Sequence, residues 1–220
     1  MSKKIVPLRP LSALLVIMAA VVLYLYTASP VKTRNASSTG AYSEDMFRRH
    51  YAELKSMMLE IRDCNTSVKL KRVNDFFNAI QYDTDPDVWG QEDYWASRKE
   101  FLGAERGDCE DYAIAKYFTL RQLGFRNETL FLTYVRVAQS RIPHIVLTYY
   151  ATPDAVPLVL DSNQPQIVPA NKRRDLRPIF NFNADKIYLS KQRGLGRELP
   201  GAEINLDKWT ELLLKTEEGK

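Results

Sequence analysis

Cys109 combines what no other residue of this chain does: a nucleophilic atom, a flanking glycine and a place at the amino end of the strongly helical run DCEDYAIAKYFTLRQLG. Free backbone N–H groups at a helix amino terminus favour thiolate over thiol. The same groups could stabilise the oxyanion formed when a thiolate attacks a carbonyl, so the chemistry this address suggests is acyl transfer. A base is needed, and the chain has two histidines. His144 opens the run HIVLTYY after the turn RIP, whereas His50 lies between Arg49 and Tyr51, on the helix face away from Phe47, Leu54 and Met58, and reads as exposed. Asp161 ends the apolar run PLVLD, where a neighbouring antiparallel strand could carry its carboxylate to the His144 imidazole. Read without Cys109, the same two residues would be a core histidine and an ordinary strand-end aspartate.

Three carboxylates, Asp108, Glu110 and Asp111, crowd this cysteine. They should raise its pKa and oppose the helix terminus, so something cationic should offset them. Hard oxygen donors at this density suit Ca²⁺; a solvated helix start favoured by the dipole is the other reading. A second acidic run, Asp83, Asp85 and Asp87, has the alternation of a calcium loop but carries Val88 at position six and Tyr94 at position twelve. It is therefore not an EF-hand, and it is assigned no site. Trp89 and Trp95 could wall a cleft but read as core.

The elements that must position these groups follow from periodicity. Phe47, Tyr51, Leu54, Met58 and Ile61 recur at helical steps behind a capping Ser43, and Thr66 could cap a second helix with Val68, Val73, Phe76, Phe77 and Ile80. A short helix around EDYWASRKEFL leads to the Cys109 helix, which Gly124 can end in the left-handed conformation. Beyond it come strand-like runs at TLFLTYVRV, HIVLTYY, PLVLDS and KIYLS, then a closing helix in DKWTELLLKT. Helices first and an antiparallel sheet after give an α+β class.

Residues 10–28 are apolar and uncharged, and Lys3, Lys4 and Arg9 precede them, the charge order of an export signal or an amino-terminal membrane anchor. Both readings stay open for residues 1–28, and the polar stretch 29–41 reads as a flexible tether before a domain over 42–220. Three of the 31 Lys+Arg lie in the leader, which leaves 28 against 27 Asp+Glu, so no nucleic-acid electrostatics follow. The basic cluster Lys172, Arg173, Arg174 and Arg177, interrupted by Asp175, reads as a solvated loop. Cys64, in IRDCNTS, reads as incidental; a Cys64–Cys109 disulfide, which an exporting compartment permits, is the weaker reading.

The segments GDCEDYAIAK, PHIVLTYY and LVLDS together resemble the bacterial transglutaminase-like cysteine proteases, the group that includes the LapG-type adhesin-cleaving enzymes, over roughly residues 75–190. Cys109, His144 and Asp161 fall on the family's Cys, His and Asp in the same order. The resemblance implies a papain/transglutaminase-like fold, a periplasmic location and cleavage near the amino terminus of a large surface adhesin. It also implies calcium dependence through Asp108, Glu110 and Asp111, and sequestration by a LapD-type, cyclic-di-GMP-responsive inner-membrane receptor. Two competitors share these residues: a transglutaminase-type acyltransferase, in which an amine resolves the thioester, and a noncatalytic calcium-dependent binding protein on the same scaffold.

Overall fold

The computed structural model describes residues 42–138, 143–191, 194–199 and 207–218; the expected leader and tether lie outside them. Ser43 takes the Met46 N–H on its side chain and starts α1 (Glu44–Ile61), with Glu44 and Asp45 in the first turn where the helix dipole favours acids. The buried stripe is Leu54, Met57 and Ile61, while Tyr51 stays 40% exposed, so the helix is rotated slightly from the face its spacing suggests. Asn65, instead of Thr66, caps α2 (Thr66–Asn78): its Oδ1 accepts the Val68 N–H at 3.0 Å, a role a short amide oxygen fills at least as well as a threonine hydroxyl. Cys64 is exposed and Cys109 buried, and both are free thiols.

A short strand β1 (Gln81–Tyr82) is followed by a single turn of helix, α3 (Asp85–Val88), with Pro86 in its first turn. The next helix begins later than EDYWASRKEFL suggested. Ser97 and Glu100 form a reciprocal capping box that fixes the start of α4 (Arg98–Ala104). β2 (Arg106–Gly107) then pairs parallel with β1 and delivers the chain into α5 (Cys109–Gln122), which ends before Gly124 at φ +89°, the left-handed position expected of it.

The remaining chain builds β3 (Leu130–Val137), β4 (Pro143–Tyr149), β5 (Leu158–Leu160), β6 (Val168–Pro169), β7 (Leu176–Phe182), β8 (Ile187–Ser190) and β9 (Leu195–Leu199). They form one antiparallel sheet in the order β6-β5-β4-β3-β7-β8-β9. This is the α+β arrangement expected, helices followed by an antiparallel sheet. Closing helix α6 (Asp207–Glu218) buries Trp209, whose Nε1–H donates to the Asn183 carbonyl at 3.1 Å. Among the described residues no helix is long and apolar enough to cross a membrane.

The core lies around α5, which packs against α2 and α4 on one side and β4 and β3 on the other. Nearly every residue from Cys109 to Leu120 is buried, so this helix is enclosed all round. Alternation along the strands divides the sheet: Ile145, Leu147 and Leu160 face the helices, while Val135, Val146 and Val159 form a smaller apolar cluster on the other face.

Phe101 keys α4 into this core, fully buried with its ring 4.9 Å from Tyr112 and 6.3 Å from Phe77. Phe101→Ala should lower unfolding free energy by about 3–5 kcal/mol in urea titration. A loss below about 1 kcal/mol would mean that α4 is not held by this ring.

Candidate active site and cation pocket

The entry into α5 is fixed from within. Asp111, fully buried, accepts the Ala96 N–H at 2.8 Å on Oδ1 and the Asp108 N–H at 3.4 Å on Oδ2, which ties the helix start to the segment before α4. Gly107 is required by packing: a Cβ there would stand 2.3 Å from Asp111 Oδ2 and 2.9 Å from the Phe101 ring. Asp108, in extended conformation, is the N-cap, and Cys109 is the first helical residue. The sulfur accepts the Ile145 N–H at 3.4 Å, and its own proton points to Glu110 Oε2 at 3.0 Å. Burial, the Glu110 charge and that hydrogen bond all push the Cys109 thiol well above its usual pKa.

β4 carries the base beside the thiol. His144 sits one residue before the Ile145 N–H that reaches the sulfur, and both side chains line the same cleft. Its Nε2 lies 2.7 Å from Asp161 Oδ1. A buried carboxylate at that distance makes Nε2–H the donor and leaves Nδ1 as the basic nitrogen. Asp161 also accepts the Asn163 N–H at 2.9 Å, and its other oxygen meets Arg173 Nη2 at 2.7 Å. Burial opposes ionisation of Asp161, yet the His144 hydrogen bond and charge, the Asn163 N–H and the Arg173 guanidinium hold its pKa down to about 2. The structure thus gathers Cys109, His144 and Asp161.

Arg173 corrects the expectation of a solvated basic loop. Only 6% exposed, it spans Asp161 and Asp175, with Nε–H donating to Asp175 Oδ1 at 3.0 Å and Nη2–H to Oδ2 at 2.7 Å. The Arg-x-Asp spacing was visible in the sequence, but its inward turn is set by the short 3₁₀ turn at Ala170–Lys172 leading into β7. His50 is also partnered: Nδ1 lies 3.0 Å from the Leu102 carbonyl and Nε2 3.1 Å from Glu105, joining α1 to α4.

The cleft holds about 500 Å³ and combines Cys109, His144 and Asn163 with Tyr82, Trp95 and Tyr134 and with the carboxylates Asp85, Glu92, Asp93, Asp108 and Glu110. Trp95 both lines it and stacks on Phe182 at 6.0 Å, whereas Trp89 packs against Tyr94. Asp85, in the acidic loop to which the sequence assigns no site, lies in this cleft among the carboxylates. It is 2% exposed, and one ligand oxygen from each of Asp85, Asp93 and Glu110 lies within 4.8 Å of the others, as holds for Asp85, Asp108 and Asp111. Asp85 Oδ2 accepts the Tyr94 N–H at 2.5 Å, while Asp85 Oδ1 and Asp108 Oδ1 are buried with no hydrogen-bond partner among the described residues.

Burial raises Asp85 to about 6, with the Tyr94 N–H opposing and Glu110 adding. Asp108 and Asp111 are pushed up by burial and by their acidic neighbours. All-oxygen donors with two orphaned buried lone-pair sets fit a hard divalent cation such as Ca²⁺. Asp83, by contrast, pairs with Arg106 at 3.2 Å, and Asp87 accepts the Thr84 hydroxyl at 2.8 Å.

Residues 49–174 match the family model described as bacterial transglutaminase-like cysteine proteinase. No curated protein matches the chain. Among solved structures, calcium-bound LapG of Legionella pneumophila is 36% identical, with 80% of this chain and 93% of that one covered at a TM-score of 0.68. The EGTA-treated form of the same protein is 35% identical, with 80% and 91% covered at a TM-score of 0.67. The chain belongs to the bacterial transglutaminase-like cysteine proteinases, and it is a cysteine protease with the fold of LapG.

Proposed function

We propose that this protein is a calcium-dependent periplasmic endopeptidase that cuts the amino-terminal region of a large cell-surface adhesin, with Cys109 as nucleophile, His144 as base and Asp161 orienting the imidazole. The observation that carries the reading is the His144 Nε2 to Asp161 Oδ1 contact of 2.7 Å in a cleft shared with a thiol held by the next residue of the same strand. His144 Nδ1 takes the Sγ proton, and the sulfur attacks the scissile carbonyl. Backbone N–H groups at the start of α5 receive the oxyanion, and His144 returns the proton to the departing amine. Water, deprotonated by the same imidazole, then cleaves the thioester and restores the thiol.

The aromatic walls Tyr82, Trp95 and Tyr134 give an extended peptide flat apolar contacts beside the sulfur. Asp85, Asp93, Asp108 and Glu110 would hold calcium, with Asp111 shaping the pocket from behind through its bonds to Ala96 and Asp108. When bound, the ion supplies positive charge that offsets the carboxylates now opposing the Cys109 thiolate. Glu110, drawn to a cation, would release the sulfur proton it now accepts. The LapG structures in calcium-bound and EGTA-treated forms support calcium as the ion. The adhesin, the periplasmic location and control by a LapD-type inner-membrane receptor rest on the likeness to LapG.

Purified protein should cleave an adhesin's amino-terminal segment in calcium, cease to do so with a chelator and regain activity when calcium returns. Cys109→Ala should abolish cleavage, and Asp161→Asn should cost about 10³-fold or more in kcat by releasing the imidazole tautomer. Cleavage by Cys109→Ala would remove the mechanism. Incorporation of a primary amine into a glutamine donor would turn the reading to an acyltransferase, and retained biological function in Cys109→Ala to a noncatalytic binding protein.

The acid cluster makes calcium binding depend on pH. Asp85 has a folded-state pKa of about 6 against an ordinary 3.8, so without calcium the fold is penalised as pH rises through that window, because the unfolded chain loses the proton first. Calcium lifts the penalty. Its stabilising effect on Tm should therefore be larger at about pH 7.5 than at about pH 5, and calorimetry near about pH 6 should show protons released on binding. An increment independent of pH would contradict Asp85 as a ligand.

A further inference from the structure

We propose that Arg173 is a positioning residue for the site: its guanidinium holds Asp161 ionised and in the one orientation that aims Oδ1 at His144. This rests on the protease reading of Cys109 and His144. Asp161 is fully buried, and a buried carboxylate without a counter-charge either protonates or rotates toward other donors. Its Oδ1 already serves His144 Nε2 at 2.7 Å and the Asn163 N–H at 2.9 Å, so the second oxygen decides whether that arrangement persists. Arg173 Nη2 stands 2.7 Å from it as an ion pair, while among the described residues that oxygen accepts no aligned hydrogen bond, so the guanidinium charge is what holds it. The other buried basic group nearby, Lys116, is pushed down to about 7 by burial and gives its Nζ to Asn78 Oδ1 at 2.6 Å, so it does not replace the contact.

Arg173 is itself fixed before it meets Asp161. Asp175 engages Nε and Nη2 together, which sets the plane of the guanidinium. Lysine has no second donor in that plane, and a single ammonium could serve one carboxylate well or two poorly. Arg173 also lines a cavity of about 580 Å³ on the sheet face away from the helices, beside Val146, Val159 and Asn181. Its Nη1 is buried and meets no hydrogen-bond partner among the described residues. A truncated side chain at this position would therefore open onto a space that admits a small planar cation.

The first readout is the thiol itself, without substrate. In a Cys64→Ser background, with calcium present, iodoacetamide should alkylate Cys109 at a rate that falls about tenfold or more in Arg173→Ala and several-fold in Arg173→Lys, a loss of orientation on the scale of one buried ion pair. Added guanidinium at concentrations below denaturation should restore most of the rate to Arg173→Ala, raise kcat for cleavage with little change in KM, and do nothing for Asp161→Ala. Rates within twofold of the parent in folded Arg173→Ala would overturn the proposal. So would a loss that guanidinium leaves untouched, since that marks a purely structural role. Should Arg173→Ala not fold, Arg173→Lys decides: a rate equal to the parent overturns the proposal and a reduced one supports it. The parent compared with His144→Ala examines the protease reading itself; equal rates there would remove that reading and this inference together, whereas a fast parent with an equally fast Arg173→Ala removes the inference alone.

Discussion

Buried negative charge around the first turn of α5 is the constraint to which the rest of the molecule answers. Asp85, Asp108, Glu110 and Asp111 approach one another beside a thiol, and two of their oxygens are enclosed with no hydrogen-bond partner among the described residues. In a low-dielectric setting such carboxylates hold protons or require a cation. The same charge works against the thiolate that the chemistry needs, so the acid cluster and the nucleophile are one electrostatic unit. Glu110 shows this most directly, because the carboxylate that now accepts the sulfur proton also belongs to the acidic set. Calcium dependence, in this account, is a consequence of where the carboxylates are buried.

The opposite side of the cleft is built with the opposite logic. Asp161 is buried too, yet it meets an imidazole, a backbone N–H and a guanidinium, and its pKa falls to about 2. Two aspartates of one domain are thus driven apart in acidity, Asp85 up and Asp161 down, by what surrounds each. The fold makes this separation possible. α5, enclosed by α2 and α4 against the sheet, supplies the sulfur and part of the acid cluster, and β4 and the end of β5 supply the imidazole and the carboxylate.

How much of this was legible in the sequence varies by mechanism. The order of helices and strands could be read, because caps and periodicity are local: Ser43 and Gly124 act where their spacing suggested. Cys109, His144 and Asp161 could be singled out because each marks the start or end of an element. Asp85 could not, since its burial depends on β1, α3 and the Ala96 region folding together, and an EF-hand template looks only along the chain. Arg173 was hidden for a similar reason. A basic run usually faces solvent, and only the 3₁₀ turn before β7 shows that one of its members points inward. Residues whose partners are distant in sequence, as Arg173 and Asp161 or Asp85 and Glu110 are, lie beyond any local pattern.

In the proposed mechanism a thioester forms at Cys109 only when the acid cluster is neutralised. The most direct measurement is mass spectrometry of the Cys109 peptide after brief reaction with an adhesin segment and acid quench, in calcium and in chelator. An acyl adduct of the amino-terminal fragment on Cys109 in calcium, absent in chelator, is the predicted result. Cleavage that proceeds with no adduct on Cys109, or an adduct that forms equally in chelator, would contradict it.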